Sequence, residues 1–294
     1  MTDPVPPKSV FQNAREEAQV ANQPTSSPQT EDPAYRLAFQ DMDFLLRQDL
    51  RPIRFQLELL KPELLLDEAG IESTFVFYGS ARIPEPSKAD TIVQNAITDH
   101  QRLVAERLRA KSKYYDEARK LARIASRVAT SAEGKKQFVV CSGGGPSIME
   151  AANRGATDEG QDSIGLNIVL PHEQLPNPYV TPHLSFQFHY FALRKMHFLI
   201  RARAVAIFPG GFGTFDEGFE LLTLIQTGKI KPLPIVLFGR EFWERVVNFE
   251  ALVEEGVVSP NDLDLFKFVE TAEEAWDYIC GYYEDQDAIP SRAS

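Results

Sequence analysis

The chain has 294 residues, enough for one large domain or two, and is 43% hydrophobic and 25% charged. That is the balance of a globular protein with its own core, not of a disordered, fibrous or membrane-embedded chain. The formal charge of -11 repels a polyanion overall, so a nucleic acid polymer is not an expected partner, whereas a small anion can still bind where N–H groups and arginines converge.

Six of the 20 prolines fall in the first 33 residues among Gln, Ser, Thr and acidic side chains. Such a segment buries too little apolar area to offset its ordering entropy, so residues 1–34 are expected to be a largely disordered tail. Over 35–69 the apolar spacing turns helical, with Leu37, Phe39, Met42, Phe44 and Leu45, then Ile53, Phe55, Leu57 and Leu60 beyond Pro52. Two helices are predicted, the second starting near the proline, as an extension packed on the main domain or on a second subunit.

The first glycine, Gly70, marks a change of period and the start of the main domain, expected over 70–286 with a short tail at 287–294. Short apolar runs at 74–78, 138–141, 164–169, 204–208, 235–238 and 266–269 read as strands buried on both faces. Amphipathic stretches between them, clearest at Tyr114, Ala118, Leu121, Ala125 and Val128, read as helices. The alternation predicts an α/β fold with a doubly wound parallel sheet. Ligands of such sheets sit beyond the carboxyl ends of the strands.

Three loops at those ends carry glycine: Gly79-Ser80-Ala81-Arg82, Ser142-Gly143-Gly144-Gly145-Pro146 and Pro209-Gly210-Gly211-Phe212-Gly213-Thr214. Each leads towards a helix start, whose free N–H groups and positive dipole end suit a phosphate; tight turns alone are the plainer explanation for any one of them. The dinucleotide fingerprint fails, with Asp216 and Ile148 where its last glycine is needed, and Gly228-Lys229 is followed by Ile230, so no P-loop is present. A phosphate loop without a lysine suits a nucleoside monophosphate better than a triphosphate.

In the helix expected from about Thr214, Phe215, Phe219, Leu222 and Ile225 are assigned to the core. Glu217 then lies in the first turn, roughly 5 Å along the axis from the loop amides. A carboxylate there can bind ribose hydroxyls, activate water or stabilise an oxocarbenium-like carbon, though acidic residues also favour helix starts without any such task. Asp216 and Glu220 are assigned that ordinary role. Arg194 and Lys195 precede the fourth expected strand at the same edge, where two cations at a helix start call for a compensating anion. Arginine holds its proton too firmly to be a general acid, so Arg194 is read as a hydrogen-bond donor. The aromatic stretch 186–191 is either core or a ring for stacking a purine. His100, His172, His183, His189 and His197 have no ligand spacing, and no metal or cofactor is expected.

Cys141 and Cys280 form neither a disulfide framework nor a zinc pair and suit a reducing cytoplasm. No basic patch followed by an apolar run opens the chain, nor do 18 apolar residues follow one another anywhere, so neither export nor membrane insertion is expected.

Pro209-Gly-Gly-Phe-Gly-Thr-Phe-Asp-Glu217 resembles the PGGxGTxxE motif of the LOG ("lonely guy") family, and Arg194-Lys195 sits at that family's upstream spacing. The stretches from Ser142 to Ala152 and from Phe77 to Ala81 look like its other two loops, and the likeness covers about residues 71–284, closest to the long bacterial subgroup. The resemblance implies a Rossmann-like fold in homodimers or larger assemblies. It also implies a hydrolase that cleaves the N-glycosidic bond of a nucleoside 5′-monophosphate, AMP or a cytokinin riboside 5′-monophosphate, to free base and ribose 5-phosphate. Carried over residue by residue, it places the catalytic pair on Arg194 and Glu217. The phosphate seat falls on Gly210, Gly211, Gly213, Thr214 and Ser80, and the rest of the pocket on Gly79, Gly144, Gly145, Met149 and Lys195. The older family label of possible lysine decarboxylase finds no supporting feature. Departures are the tail, the helical extension, an insert around residues 85–109, and Ser147 where close relatives often carry glycine. The alternative is a non-catalytic nucleotide or molybdenum-cofactor carrier on the same fold.

Overall fold

The computed structural model describes residues 13–22, 25–127, 134–171 and 175–284; His172 and the expected tail at 287–294 lie outside them. The chain falls into two compact units, residues 1–58 and 59–294. In the first, the expectation of a structureless segment meets a helix at Ala14–Ala21. Asn13 caps it by accepting from the Glu16 amide at 3.0 Å, while Glu16 accepts from the Asn13 amide at 3.1 Å. This reciprocal cap satisfies two end donors locally, so the helix forms without burying any residue. The longer helix, Arg51–Glu68, starts one residue before Pro52 and runs through Pro62.

The second unit holds a seven-stranded, wholly parallel sheet in the order β4-β3-β2-β1-β5-β6-β7. The strands are β1 Thr74–Tyr78, β2 Val139–Ser142, β3 Ser163–Ile168, β4 Ser185–Phe188, β5 Ala202–Ile207, β6 Ile235–Phe238 and β7 Lys267–Val269. Helices flank the sheet, which is a Rossmann-like doubly wound architecture. Six strands fall on the expected apolar runs. β4 was not expected, because Ser185-Phe-Gln-Phe188 alternates polar and apolar residues and its side chains alternate in burial, the pattern of an edge strand rather than of a continuous apolar run.

Why these runs become central strands is visible in the core. Every residue of β1 is buried, and Phe77, Phe208 and Phe238 stack across three neighbouring strand positions, Phe208 and Phe238 with centroids 4.1 Å apart. On one face the helices Lys113–Ser126 and Ile148–Asp158 present Ala118, Ala122, Ala125, Ala151, Ala152 and Ala156, all buried. Small side chains let the two helices approach each other closely, leaving the aromatic bulk for the sheet side. The insert over residues 85–109 is a pair of helices, Pro86–Gln94 and Asp99–Ala110. At the start of this unit Arg201 holds the end of the Arg51–Glu68 helix, donating to Glu63 at 2.9 Å and to Asp67 at 2.8 Å.

Chain order reverses between β1 and β5, so the loops that follow these two strands face each other across the switch point. Those loops are residues 79–82 and 209–214, and Ser80 N–H donates to the Pro209 carbonyl at 3.1 Å. The fold thereby brings two of the three glycine loops together by backbone topology alone.

Candidate active site

A cavity of about 850 Å³ opens at this switch point. Its floor is made by the three glycine loops, and its lining includes Gly79, Ser80, Gly145, Met149, Arg194, Gly211, Gly213, Thr214 and Glu217. Nine of the twelve sequence-derived site residues are therefore gathered in one place. Gly144, Gly210 and Lys195 are not in the lining. Gly144 faces Asn167, and Gly210 lies under the Thr214 side chain. Lys195 is held by Asp216 at 3.0 Å and Glu220 at 2.9 Å. The expected compensating anion for this lysine is thus supplied by two protein carboxylates, which take that role in place of a dipole-stabilising one. This happens because successive helix residues diverge by about 100°, sending Arg194 inward and Lys195 out.

Arg194 lies in the first half of the helix Phe191–Ile200 and is 9% exposed. Its Nε donates to the Leu166 carbonyl at 2.7 Å, and its Nη1 donates to Glu217 Oε1 at 3.3 Å. Its guanidinium lies 5.0 Å above the Phe198 ring, one helical turn on, and Phe198 is itself fully buried against Tyr78. Backbone, carboxylate and ring fix the group on three sides. Gly143 is required for this placement, since a Cβ there would lie 2.6 Å from Arg194 Nη2.

Glu217 comes from the helix Phe212–Gln226, whose start is two residues earlier than expected. The buried face is Thr214, Gly218, Leu221 and Ile225; of the expected Phe215, Phe219, Leu222 and Ile225 it keeps only Ile225. Gly218 explains the rotation: without a side chain it lets the helix settle against Ile207 of β5. Phe215 and Phe219 instead stack on each other and reach Trp243 and Phe249. The consequence is that Glu217 sits on the cavity side, with a side chain only 14% exposed. Burial pushes its carboxyl up to about 7 against the opposing pull of Arg194, with Asp216 and Glu220 adding repulsion and Lys195 a further pull downward. A carboxyl poised near neutrality can take or give a proton at physiological pH.

The helix start itself is open. Gly211 provides no side-chain cap, and the N–H groups of Phe212, Gly213 and Thr214 find no acceptor among the described residues. These are the unsatisfied donors at the positive end of a 15-residue helix, directed at the cavity floor.

Several contributors were not legible in the sequence. Asn167 lines the cavity and is fixed by donating to the Phe186 carbonyl at 3.1 Å. A buried network of Ser142, Asn153 and Asn177 secures the second glycine loop, with Ser142 donating to Asn153 at 2.7 Å and Asn177 donating to the Gly145 carbonyl at 3.0 Å. Ser147 adopts φ 67°, a glycine-like conformation, and its hydroxyl donates to the Ile83 carbonyl, which accounts physically for a position where glycine is the easier residue. The aromatic stretch at 186–191 divides: Phe186 and Phe188 are core, whereas Phe191 is 53% exposed and lines the cavity. Among the described residues there is no cluster of three metal-ligating side chains, and no helix is long and apolar enough to cross a membrane.

The model of a family described as "Possible lysine decarboxylase" matches residues 149–279, the stretch that contains both Arg194 and Glu217. The probable cytokinin riboside 5′-monophosphate phosphoribohydrolase LOGL3 of Oryza sativa subsp. japonica is 26% identical over 162 residues, 52% of this chain and 72% of that protein. The resemblance to the LOG family holds. The cytokinin riboside 5′-monophosphate phosphoribohydrolase LOG3 of Arabidopsis thaliana is also 26% identical, over 46% of this chain and 63% of its own length, so the match spans less than two thirds of that LOG protein. Among solved structures, the Moco carrier protein of Chlamydomonas reinhardtii is 15% identical with a TM-score of 0.41, covering 72% of this chain and 99% of that one.

Proposed function

We propose that this LOG-like protein is a nucleoside 5′-monophosphate phosphoribohydrolase, releasing a free purine base, from AMP or a cytokinin riboside 5′-monophosphate, together with ribose 5-phosphate. The observation that carries the reading is the placement of a buried carboxyl, Glu217, on the second turn, one turn on from Thr214, of a helix whose open N-terminal amides share its cavity. The phosphate binds at Gly211, Gly213, Thr214 and Ser80. The ribose then extends towards Glu217, which lies within one helical turn of the phosphate seat.

In the reaction the bond between C1′ and the base nitrogen breaks as water adds to C1′. The Glu217 carboxylate stabilises the positive charge that develops on the sugar and orients the water. The hydroxyl oxygen of that water stays on ribose 5-phosphate, and its proton leaves with the base. Arg194 keeps the carboxylate in place through Nη1 and presents Nη2 beside Gly143 and Met149, on the base side. Phe191, Met149 and Leu170 give that side an apolar wall, suited to a purine plane or to an apolar substituent on it. Homodimers or larger assemblies in the cytoplasm are the expected working form.

The test is incubation with a panel of nucleoside monophosphates, cytokinin types included, followed by chromatography for liberated base, with nucleosides and triphosphates as controls. Glu217→Ala is expected to lower kcat by about 10²–10⁴-fold with the circular dichroism spectrum unchanged. Saturable binding of monophosphates without base release in the native protein would favour the carrier alternative.

A further inference from the structure

The proposed phosphate seat has open amides but no lysine, and the cations closest to it by sequence are already neutralised: Arg194 by Glu217, Lys195 by Asp216 and Glu220. One further cation lines the cavity. Arg82 is exposed and shares the cavity lining with Ser80 and the 211–214 turn, and among the described residues its guanidinium has no carboxylate partner. Other arginines of this unit, such as Arg119, Arg154 and Arg201, are in ion pairs.

The backbone carrying Arg82 is held on both sides. Its N–H donates to Ser80 Oγ at 3.0 Å, and Ser80 is in turn bonded through its N–H to the Pro209 carbonyl at 3.1 Å and through its carbonyl to the Ile148 N–H at 3.3 Å. Directly after it, Ile83 is buried and its carbonyl accepts from Ser147. A fixed backbone with an unpaired guanidinium facing a cavity is preorganised to meet an anion, because little conformational freedom remains to be lost on binding apart from that of the side chain itself. Ser80 Oγ accepts from Arg82, which leaves its own proton to donate to the same anion.

We propose that Arg82 is the side chain that reads the 5′-phosphate charge and so selects nucleotides over nucleosides, while the helix amides only seat the group. The assignment rests on the nucleotide reading above. An arginine can engage a phosphate with two parallel N–H donors, a geometry that an amide nest alone does not supply.

The test uses the full chain and the variants Arg82→Ala and Arg82→Lys. Base release from AMP is measured, together with binding of ribose 5-phosphate and of adenosine by calorimetry in the Glu217→Gln background. Arg82→Ala is expected to raise KM for the monophosphate and the Kd for ribose 5-phosphate by about 10–100-fold, the size of one charged hydrogen-bonding contact. kcat should stay within about threefold and adenosine binding should be unchanged. Arg82→Lys should recover part of the loss, which a merely structural role would not show. If the native protein releases base and binds ribose 5-phosphate but Arg82→Ala does both equally well, the Arg82 assignment is overturned and the nucleotide reading stands. If the native protein binds no ribose 5-phosphate, both are overturned.

Discussion

The second and third glycine loops look interchangeable as sequence, yet the structure uses them in opposite ways. Around residues 144–145 the protein engages one amide and two carbonyls. Gly144 N–H donates to Ser142 at 3.0 Å, its carbonyl accepts from Asn177 at 2.8 Å, and the following Gly145 carbonyl accepts from the Asn177 side chain. Around residues 211–214 the amides of Phe212, Gly213 and Thr214 have no acceptor among the described residues, and a buried acid lies one turn further along the helix. The 142–146 loop is pinned through its carbonyls to Asn177, whereas the 211–214 turn offers its amides at a helix start. Glycine content signals only that the backbone turns tightly. What it turns towards decides whether the result is scaffold or site.

The largest effect that sharpens this contrast concerns the unsatisfied side. The folded-state carboxyl of Glu217 titrates near 7, above the ordinary 4.5, so ionising it opposes folding. Below about pH 4.5 the group is neutral in both states and nothing is lost. The penalty grows through the interval up to about 7 and is complete above it, at up to about 3 kcal/mol. Glu217→Gln, which keeps an acceptor for Arg194, is therefore expected to be more stable than the native protein in urea at pH 8 and indistinguishable at pH 4.5, while losing base release. Equal stability at pH 8 would show that the carboxylate is better solvated or compensated than its burial implies. The same titration predicts that native kcat/KM rises with pH through about 7, since the ionised carboxylate is the working form. Replacing Arg194 with Gln moves that limb upward by removing the cation that lowers it.

Next in size is the same change made in each loop. Gly144→Ala must accommodate a Cβ at φ +71° against Asn167 and is expected to lose roughly 1–3 kcal/mol of unfolding free energy. Gly213→Ala meets no atom within 4 Å and should leave stability within about 1 kcal/mol, while narrowing the anion seat and raising KM. Denaturation and steady-state kinetics on the two variants separate the pinned loop from the open turn, and the reverse pattern would break the distinction.

The smallest effect is expected at Lys195. Its partners Asp216 and Glu220 are side chains exposed at 58% and 36%, so Lys195→Met should cost less than about 1 kcal/mol. kcat/KM should change only slightly, through a small upward move of the Glu217 limb. A collapse of activity would give Lys195 a working role despite its place outside the cavity lining.

How much was readable beforehand follows from the kind of signal each element carries. β1 and β6 were bounded correctly because Thr74–Tyr78 and Ile235–Phe238 are unbroken apolar runs buried on both faces. β4 escaped because an edge strand needs only alternate apolar residues. Arg194 and Glu217, singled out by motif and spacing, line one cavity and are hydrogen-bonded to each other. Lys195, grouped with its neighbour in the sequence, lies outside the cavity lining because adjacency along a helix separates side chains in space. Asn167 and Asn177 gave no signal, since a lone asparagine reads as a turn residue until the loop it secures is known.

By itself the sequence determined the alternation of apolar runs and amphipathic stretches, hence a parallel doubly wound sheet. It also determined the candidate chemistry: three glycine turns, one arginine and one acid at fixed spacing. Those features are local, written in residue type and period, and short-range sterics and burial act on them directly. Only the tertiary structure decided that Asn177 pins the second glycine turn, that Gly218 rotates the helix so that Glu217 is buried facing Arg194, and that Arg82 lines the cavity without a carboxylate partner among the described residues. Each of these depends on contacts between segments far apart in the chain, and desolvation and pairing there are set by what the fold brings alongside.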